Sequence, residues 1–207
     1  GARYKPTIYI KDTKEFLARY GEDLEESDLK TAQTNLAKLM KRLLVMRFES
    51  SKDAFRMTLA NMIISTEVIE KWWEKLGKVP ILKKGQIPAP DEILETTDDD
   101  VSKEVDEQTA EKEIQELKEV KGLLAVDKSL IDPQFIDDVR RDKAILEKIR
   151  DNWFGPNAKP HKDFDPKLDY VKEKIEKLFK QRADRKIVIF SSYADTVHYL
   201  YDQLQKR

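Results

Sequence analysis

Two apolar stripes at helical spacing follow one another in the first half of the chain, and they constrain its fold more than any other feature. Alternating three- and four-residue steps place the members of each stripe on one face of a helix. A short polar break between them includes Ser50 and Asp53, which resemble a capping box. We therefore predict two successive amphipathic helices, arranged as an α-hairpin or as one long kinked helix. The first stripe contains Leu29, Ala32, Leu36, Leu39, Leu43 and Met46, and the second contains Phe55, Leu59, Met62, Thr66, Ile69, Trp73 and Leu76.

The composition agrees with a mainly helical chain. Its 207 residues include only 6 Gly and 8 Pro, too few for an all-β fold with many tight turns. The formal net charge of -1 gives no overall field toward nucleic acid or an anionic membrane, so any such binding must be local. The absence of cysteine excludes disulfides and thiolate zinc sites and fits a cytoplasmic protein. No apolar run approaches the roughly 18 residues expected of a membrane span, so we expect no membrane partner.

Helix-start signals and irregular stretches divide the chain into regions. Asp132-Pro133 and Asp165-Pro166 each combine a capping side chain with proline at the first helical position. Asp12 is expected to cap a short helix after a segment that is ambiguous between extended and helical structure. Four regions follow: a helical region with the α-hairpin at 1–77, an irregular acidic, proline-containing linker at 78–100, a helical insertion at 101–160, and a helix–strand–helix segment at 161–207.

The run Lys186-Ile187-Val188-Ile189-Phe190 has the character of a buried parallel strand. It is β-branched and aromatic, and apolar residues at helical spacing follow it from Val197 to Leu204. The expected fold class is therefore mainly α, with helical hairpins and a short C-terminal βα unit. Such a strand needs neighbours on both sides, and this chain offers almost none. We expect an exposed edge at 186–190 that favours self-association or strand exchange.

Small hydroxyl side chains follow this strand at the point where α/β proteins bind ligands. Ser191, Ser192 and Thr196, with the free backbone N–H groups of the next helix, are suited to hold phosphate oxygens without reading base sequence. The alternative is that Ser191 or Ser192 caps the last helix and that Tyr193 packs on it. The sequence alone leaves both interpretations open.

The segment from Asp165 to Leu204 resembles the entry into the second RecA-like lobe of superfamily-two helicases, in the chromatin-remodeller-like bacterial branch. The shared features are Asp-Pro-Lys-Leu opening a helix, a strand ending in Phe-Ser, and the Tyr-Ala-Asp-Thr turn. A second run, Arg-Phe-Glu-Ser-Ser at 47–51, is similar to one that these proteins carry between their two lobes. The resemblance implies nucleic-acid contacts at Ser191, Ser192, Tyr193, Thr196 and Arg47, with Glu49 positioning Arg47. The alternative for Arg47 and Glu49 is a turn with a surface ion pair.

The resemblance extends to parts of a helicase motor that do not include its ATP site. The sequence has no G-x-x-x-x-G-K-[ST] loop, and Asp91-Glu92-Ile93-Leu94 follows Pro88-Ala89-Pro90 instead of an apolar strand. The late arginine motif of the second lobe does not occur in the sequence. We therefore expect a fragment of an ATP-dependent helicase or translocase with no catalytic residue and no cofactor of its own. ATP and Mg²⁺ are implied for the full-length parent, and nucleic acid, DNA first, is the implied partner.

Other readings of the chain are a non-enzymatic helical scaffold, a protein-interaction domain, or a nucleic-acid adaptor using the basic residues between Lys172 and Lys186. His161, Asp163 and Asp165 are better explained as exposed loop residues than as a metal site, because only one histidine is present there.

The pair Trp72-Trp73 is either a base-stacking surface or, for at least one member, part of the core.

Overall fold

Helices dominate the computed structural model, which describes residues 1–21, 26–82, 123–158 and 164–205, and this confirms the mainly α prediction. The chain forms two compact units, each assembled from two segments. The first unit comprises Gly1–Leu43 and Asn61–Glu147, and the second comprises Leu44–Ala60 and Lys148–Arg207. The helices are α1 (Thr13–Tyr20), α2 (Glu26–Ser50), α3 (Lys52–Lys71), α4 (Gln134–Phe154), α5 (Pro166–Gln181) and α6 (Ala194–Gln205), and the strands are β1 (Lys78–Leu82) and β2 (Leu123–Asp127).

The helix starts proposed at Asp12, Asp132 and Asp165 are confirmed. The Asp12 carboxylate accepts from the N–H groups of Lys14 and Glu15, and Asp165 accepts from Leu168. Asp132 accepts the N–H of Gln134 at 2.8 Å. These bonds satisfy N–H groups that have no partner inside a helix. The ambiguous segment before α1 forms short 3-10 turns, with an isolated bridge from Ile10 to Ile131.

Only Ser51 separates α2 from α3, and it corrects the predicted capping box. The Ser51 hydroxyl, not that of Ser50, accepts the Ala54 N–H at 3.0 Å and begins α3. The predicted second stripe is confirmed on α3, since Phe55, Leu59, Met62, Thr66 and Ile69 are all buried, whereas its last members, Trp73 and Leu76, follow α3 and are half-buried.

The predicted stripe on α2 is partly wrong. Leu43 is buried, whereas Met46 is exposed, and the side chains of Leu29, Ala32 and Leu36 lie outside the described residues. Polar Gln33 and Arg47 are buried in α2 as well. The spacing of apolar residues cannot predict that these polar side chains are buried. Their burial depends on hydrogen-bond partners that are distant in sequence.

An antiparallel pair of strands lies at the centre of the first unit. β1 pairs with β2 from Lys78↔Asp127 to Leu82↔Leu123. The irregular chain predicted at 78–100 is therefore wrong for 78–82, and the helical prediction at 101–160 is wrong for 123–127. The remainder of both stretches up to residue 122, including Asp91-Glu92-Ile93-Leu94, lies outside the described residues.

The first unit's core collects around this strand pair. A π-helical turn, Trp72–Leu76, follows α3, and Gly77, with φ +61°, ends it in the left-handed region that glycine tolerates best. Trp73 packs against the core near Phe135, with ring centroids 6.1 Å apart, so it belongs to the core and not to an exposed stacking surface. The buried core residues are Ala2, Phe16, Ile69, Val79, Ile81, Leu124, Val126, Leu130, Ile131, Phe135, Ile136 and Val139.

In the second unit, the segment 186–190 lies between α5 and α6 but forms no strand ladder with any described residue. A ladder requires a neighbouring strand, and the described part of this unit contains none. Val188 and Phe190 are 72% and 90% exposed, so the prediction of a buried strand is wrong for the chain as it stands. The side chains of Val188 and Phe190 are exposed, but without a strand they do not form the edge that was expected at 186–190, and self-association through this segment stays a prediction. Among the described helices, none combines the length and apolar character needed to cross a bilayer.

Candidate functional site

A groove of about 460 Å³ lies within the second unit and brings the separate sequence motifs together. One part of its wall comes from the α2–α3 junction, another from the start of α5, and a third from the chain entering α6. The lining combines apolar side chains with hydroxyl groups. The lining residues are Met46, Glu49, Ser50, Ser51, Asp165, Lys167, Leu168, Val171, Ile189, Phe190, Ser191, Ser192, Tyr193, Thr196, Tyr199 and Leu200.

Arg47 lies behind this groove in a buried ion pair. Its side chain is 6% exposed, and the side chain of its partner Asp195 is 15% exposed. Nη1 donates to Asp195 Oδ1 at 3.0 Å, Nη2 donates to Asp195 Oδ2, and Nε donates to Thr58 Oγ1 at 3.1 Å. This is the bidentate geometry in which a guanidinium matches a carboxylate best. Thr58 in turn donates to the Ala54 carbonyl at 2.9 Å.

Tyr193 covers the guanidinium. The Arg47 carbon Cζ lies 4.6 Å from the centre of the Tyr193 ring, within the range of a cation–π contact. This contact places the Tyr193 ring on a residue of α2. It differs from the alternative in which Tyr193 packs on the last helix. Glu49 is exposed and lines the groove, so Asp195, not Glu49, holds Arg47.

Three hydroxyl groups connect the α2–α3 junction to the start of α6. Thr196 Oγ1 lies 2.7 Å from Ser50 Oγ and 3.2 Å from Ser51 Oγ, both within hydrogen-bonding distance. Thr196 and Ser51 are buried. The Thr196 hydroxyl is thus engaged inside the protein and is not presented to solvent.

The two serines before α6 are placed differently. The Ser191 hydroxyl accepts the Tyr193 N–H at 3.2 Å in a local turn, and Ser191 is half-buried. Ser192 is exposed beside the groove. Of the predicted contact residues, Ser192 has the side chain most accessible to a ligand.

Asp165, another residue that lines the groove, connects the start of α5 to α6. Its Oδ1 accepts the Leu168 N–H at 3.0 Å and its Oδ2 accepts the Tyr199 hydroxyl at 2.6 Å. Burial, followed by the hydrogen bond and the charge of Asp165, raises the pKa of Tyr199 well above its usual range. The tyrosine remains a neutral donor throughout the physiological range.

The five predicted contact residues therefore converge, although they come from runs about 145 residues apart in sequence. Four of them line the groove, and Arg47 supports it from behind. Sequence reasoning missed Asp195 and Thr58 as partners of Arg47. The signal for Asp195 was present, because an acidic residue in the first turn of a helix is favoured by the helix dipole. Nothing in the sequence indicated which cation it would meet.

No metal site is found among the described residues, which contain no cluster of three or more histidine, aspartate or glutamate side chains. His161 and Asp163 lie outside the described residues, and Asp165 serves as a helix cap. Comparison of the chain with protein-family models, with curated proteins and with solved structures gives no match.

Proposed function

We propose that this chain is part of a cytoplasmic ATP-dependent nucleic-acid helicase or translocase, and that the groove of its second unit contacts the nucleic-acid backbone. The observation that carries the proposal is the convergence of Arg47, Ser50 and Ser51 with Ser191–Thr196. Each of these two runs resembles a run of the helicase family. If both similarities were due to chance, the two runs would not be expected to lie together in the fold. ATP and Mg²⁺ belong to the full-length parent in this proposal.

The contact is assigned to Ser191, Ser192 and the backbone that leads into α6. Such groups bind phosphate oxygens irrespective of the base, as a motor moving along a strand requires. Arg47 is paired with Asp195, so the groove gains little net positive charge from it. The exposed lysines of α5 are interleaved with glutamates, and Lys177 pairs with Glu173. We therefore expect weak, salt-sensitive binding.

Fluorescence anisotropy with a labelled single-stranded DNA of mixed sequence tests the proposal. Ser192→Asp places a negative charge at the groove and should weaken binding about tenfold, whereas Ser192→Asn, which adds no charge, should change it little. Asn157→Asp is the matched control, because it adds the same charge at an exposed turn of the same unit that does not line the groove. The same chain should show no ATP hydrolysis.

Two results would contradict this function. One is the absence of binding to single-stranded or duplex DNA and to RNA, even at low salt. The other is an equal loss of affinity in Ser192→Asp and Asn157→Asp, since this would show a general charge effect and no contact at the groove.

A protein-interaction or scaffold function is the second candidate, favoured by the exposed apolar side chains of the second unit. Among the described residues these are Val45, Met46, Phe48, Phe164, Tyr170, Val188, Ile189, Phe190, Val197 and Tyr201. Exposed apolar surface of this kind is typical of interfaces. A chain that binds no nucleic acid but self-associates through 186–190 would favour this candidate.

A further inference from the structure

We propose that Asp195 and Arg47 are positioning residues, whose buried ion pair holds the Ser191–Thr196 turn against the α2–α3 junction and so sets the nucleic-acid contact. This inference rests on the proposed function and deepens it. It assigns a role to Asp195, and it makes the role of Arg47 indirect.

Protein groups already occupy most of the hydrogen-bonding positions of the pair. Asp195 accepts from two guanidinium nitrogens, and the Thr196 N–H also donates to its Oδ1 at 2.7 Å. Arg47 directs three N–H groups at Asp195 and Thr58, and one face of its guanidinium is covered by Tyr193. A phosphate at Arg47 would have to displace the Asp195 carboxylate in a nearly inaccessible place and leave that carboxylate buried without a counter-cation.

The turn has three anchors on its C-terminal side, and each reaches the α2–α3 region of the second unit. Tyr193 stacks on Arg47, Asp195 pairs with Arg47, and Thr196 bonds to Ser50 and Ser51. On the N-terminal side, no backbone hydrogen bond joins 186–190 to another described segment. The placement of Ser191 and Ser192 therefore depends on these anchors, and the ion pair is the strongest of them.

Asp195→Asn distinguishes a positioning role of the pair from a direct phosphate contact by Arg47, because the two roles change DNA affinity in opposite directions. If the pair positions the turn, loss of the charge loosens the turn and weakens DNA binding by about tenfold, with the dependence on salt concentration unchanged. If Arg47 is a phosphate contact restrained by Asp195, the same variant releases a cation, tightens binding and steepens the salt dependence. Asp202→Asn is the matched control, since Asp202 is exposed on the same helix.

Arg47→Gln provides the complementary test. A positioning residue leaves the slope of log affinity against log salt as it was, although affinity falls. A direct phosphate contact lowers that slope by about 0.7 for single-stranded DNA. A lower slope in Arg47→Gln would overturn the proposal.

Amide hydrogen exchange tests the positioning without any nucleic acid. The Val197 N–H donates to the Tyr193 carbonyl at 3.2 Å and reports on the turn. Asp195→Asn should increase exchange of the amides of 193–197 at least tenfold, while the amide of Val126 in the first unit keeps its rate. Unchanged exchange at 193–197, or an equal increase at Val126, would overturn the proposal. Failure of the wild-type chain to bind nucleic acid would refute the proposed function instead, and the exchange result would still decide whether the pair holds the turn.

Discussion

The hydroxyl of Tyr199 donates a 2.6 Å hydrogen bond to Asp165 Oδ2, and the other oxygen of the same carboxylate caps α5. One side chain thus stabilises a helix start and fixes a second helix to it. Asp165→Ala should lower the free energy of unfolding by about 2 kcal/mol, because it removes both a cap and a charge-assisted hydrogen bond. Tyr199→Phe should cost about 1 kcal/mol.

Urea denaturation of the two variants and of the double variant measures this coupling. The double variant should lose less than the sum of the single losses, because both changes remove the same bond. Asp202→Ala, on the exposed side of α6, should change stability little. Fully additive losses would show that Tyr199 and Asp165 act independently.

The Arg47–Asp195 pair should be costly to break on one side only. Arg47→Met leaves the Asp195 carboxylate buried without a counter-cation and should destabilise the protein by about 3–5 kcal/mol. Arg47→Met with Asp195→Leu should recover most of that loss, because no buried charge remains. Thermal or urea unfolding followed by circular dichroism gives the comparison. If the double variant is no more stable than Arg47→Met, the buried charge is not the source of the cost.

Tyr9 should give the protein a pH dependence in the alkaline range. Burial, followed by a 2.8 Å hydrogen bond to Asp138, raises the pKa of Tyr9 from 10.0 to about 12. The unfolded chain therefore releases this proton first as pH rises. The contribution of Tyr9 to stability is complete below pH 10 and is lost as pH rises toward about 12.

Tyr9→Phe isolates this effect. The variant should be less stable than wild type at pH 8 by up to about 1 kcal/mol, and the difference should shrink as pH rises through the range from 10 to 12. Tyr201→Phe, at an exposed position, is the control. A difference that stays constant with pH would contradict the assignment of the titration to Tyr9.

Self-association is expected to depend on 186–190. The segment exposes Val188 and Phe190 and has no partner strand among the described residues. Sedimentation velocity should show association that increases with concentration. Val188→Lys should suppress this association by placing a charge in the exposed segment 186–190. Ile145→Lys, an equally nonconservative change at an exposed position of the first unit, should have no effect. A wild-type chain that stays monomeric at every concentration would refute this.

Local signals in the sequence predicted much of the fold, and long-range partners explain the differences. The caps at Asp12, Asp132 and Asp165 and the stripe on α3 follow from spacing alone, because their interactions lie within a few residues. Strand β1 was missed because Pro80 lies within it and Gly85, Pro88 and Pro90 follow it, while the pairing that forms the strand comes from residues 123–127. Pairing at that separation leaves no periodic trace in a short strand.

The site shows the same division. The hydroxyl groups of Ser191, Ser192 and Thr196 were predicted from their position after an apolar run. Their different environments were not, because the burial of Thr196 depends on Ser50 and Ser51. The residues around Arg47 in the sequence do not reveal whether it is an exposed cation or a buried one in an ion pair. Only the position of Asp195 in the folded chain decides this.

The register that pairs Leu82 with Leu123 has a consequence for engineering. It places Leu82 and Leu123, which flank residues 83–122, at paired positions on neighbouring antiparallel strands, which is the geometry that a tight hairpin turn closes. Because loop-closure entropy grows only with the logarithm of length, joining Leu82 to Leu123 through a four-residue turn changes the free energy by only about 2 kcal/mol. The strand pair should therefore accept a shortened connection, or an unrelated domain grafted between Leu82 and Leu123, while the first unit keeps its core.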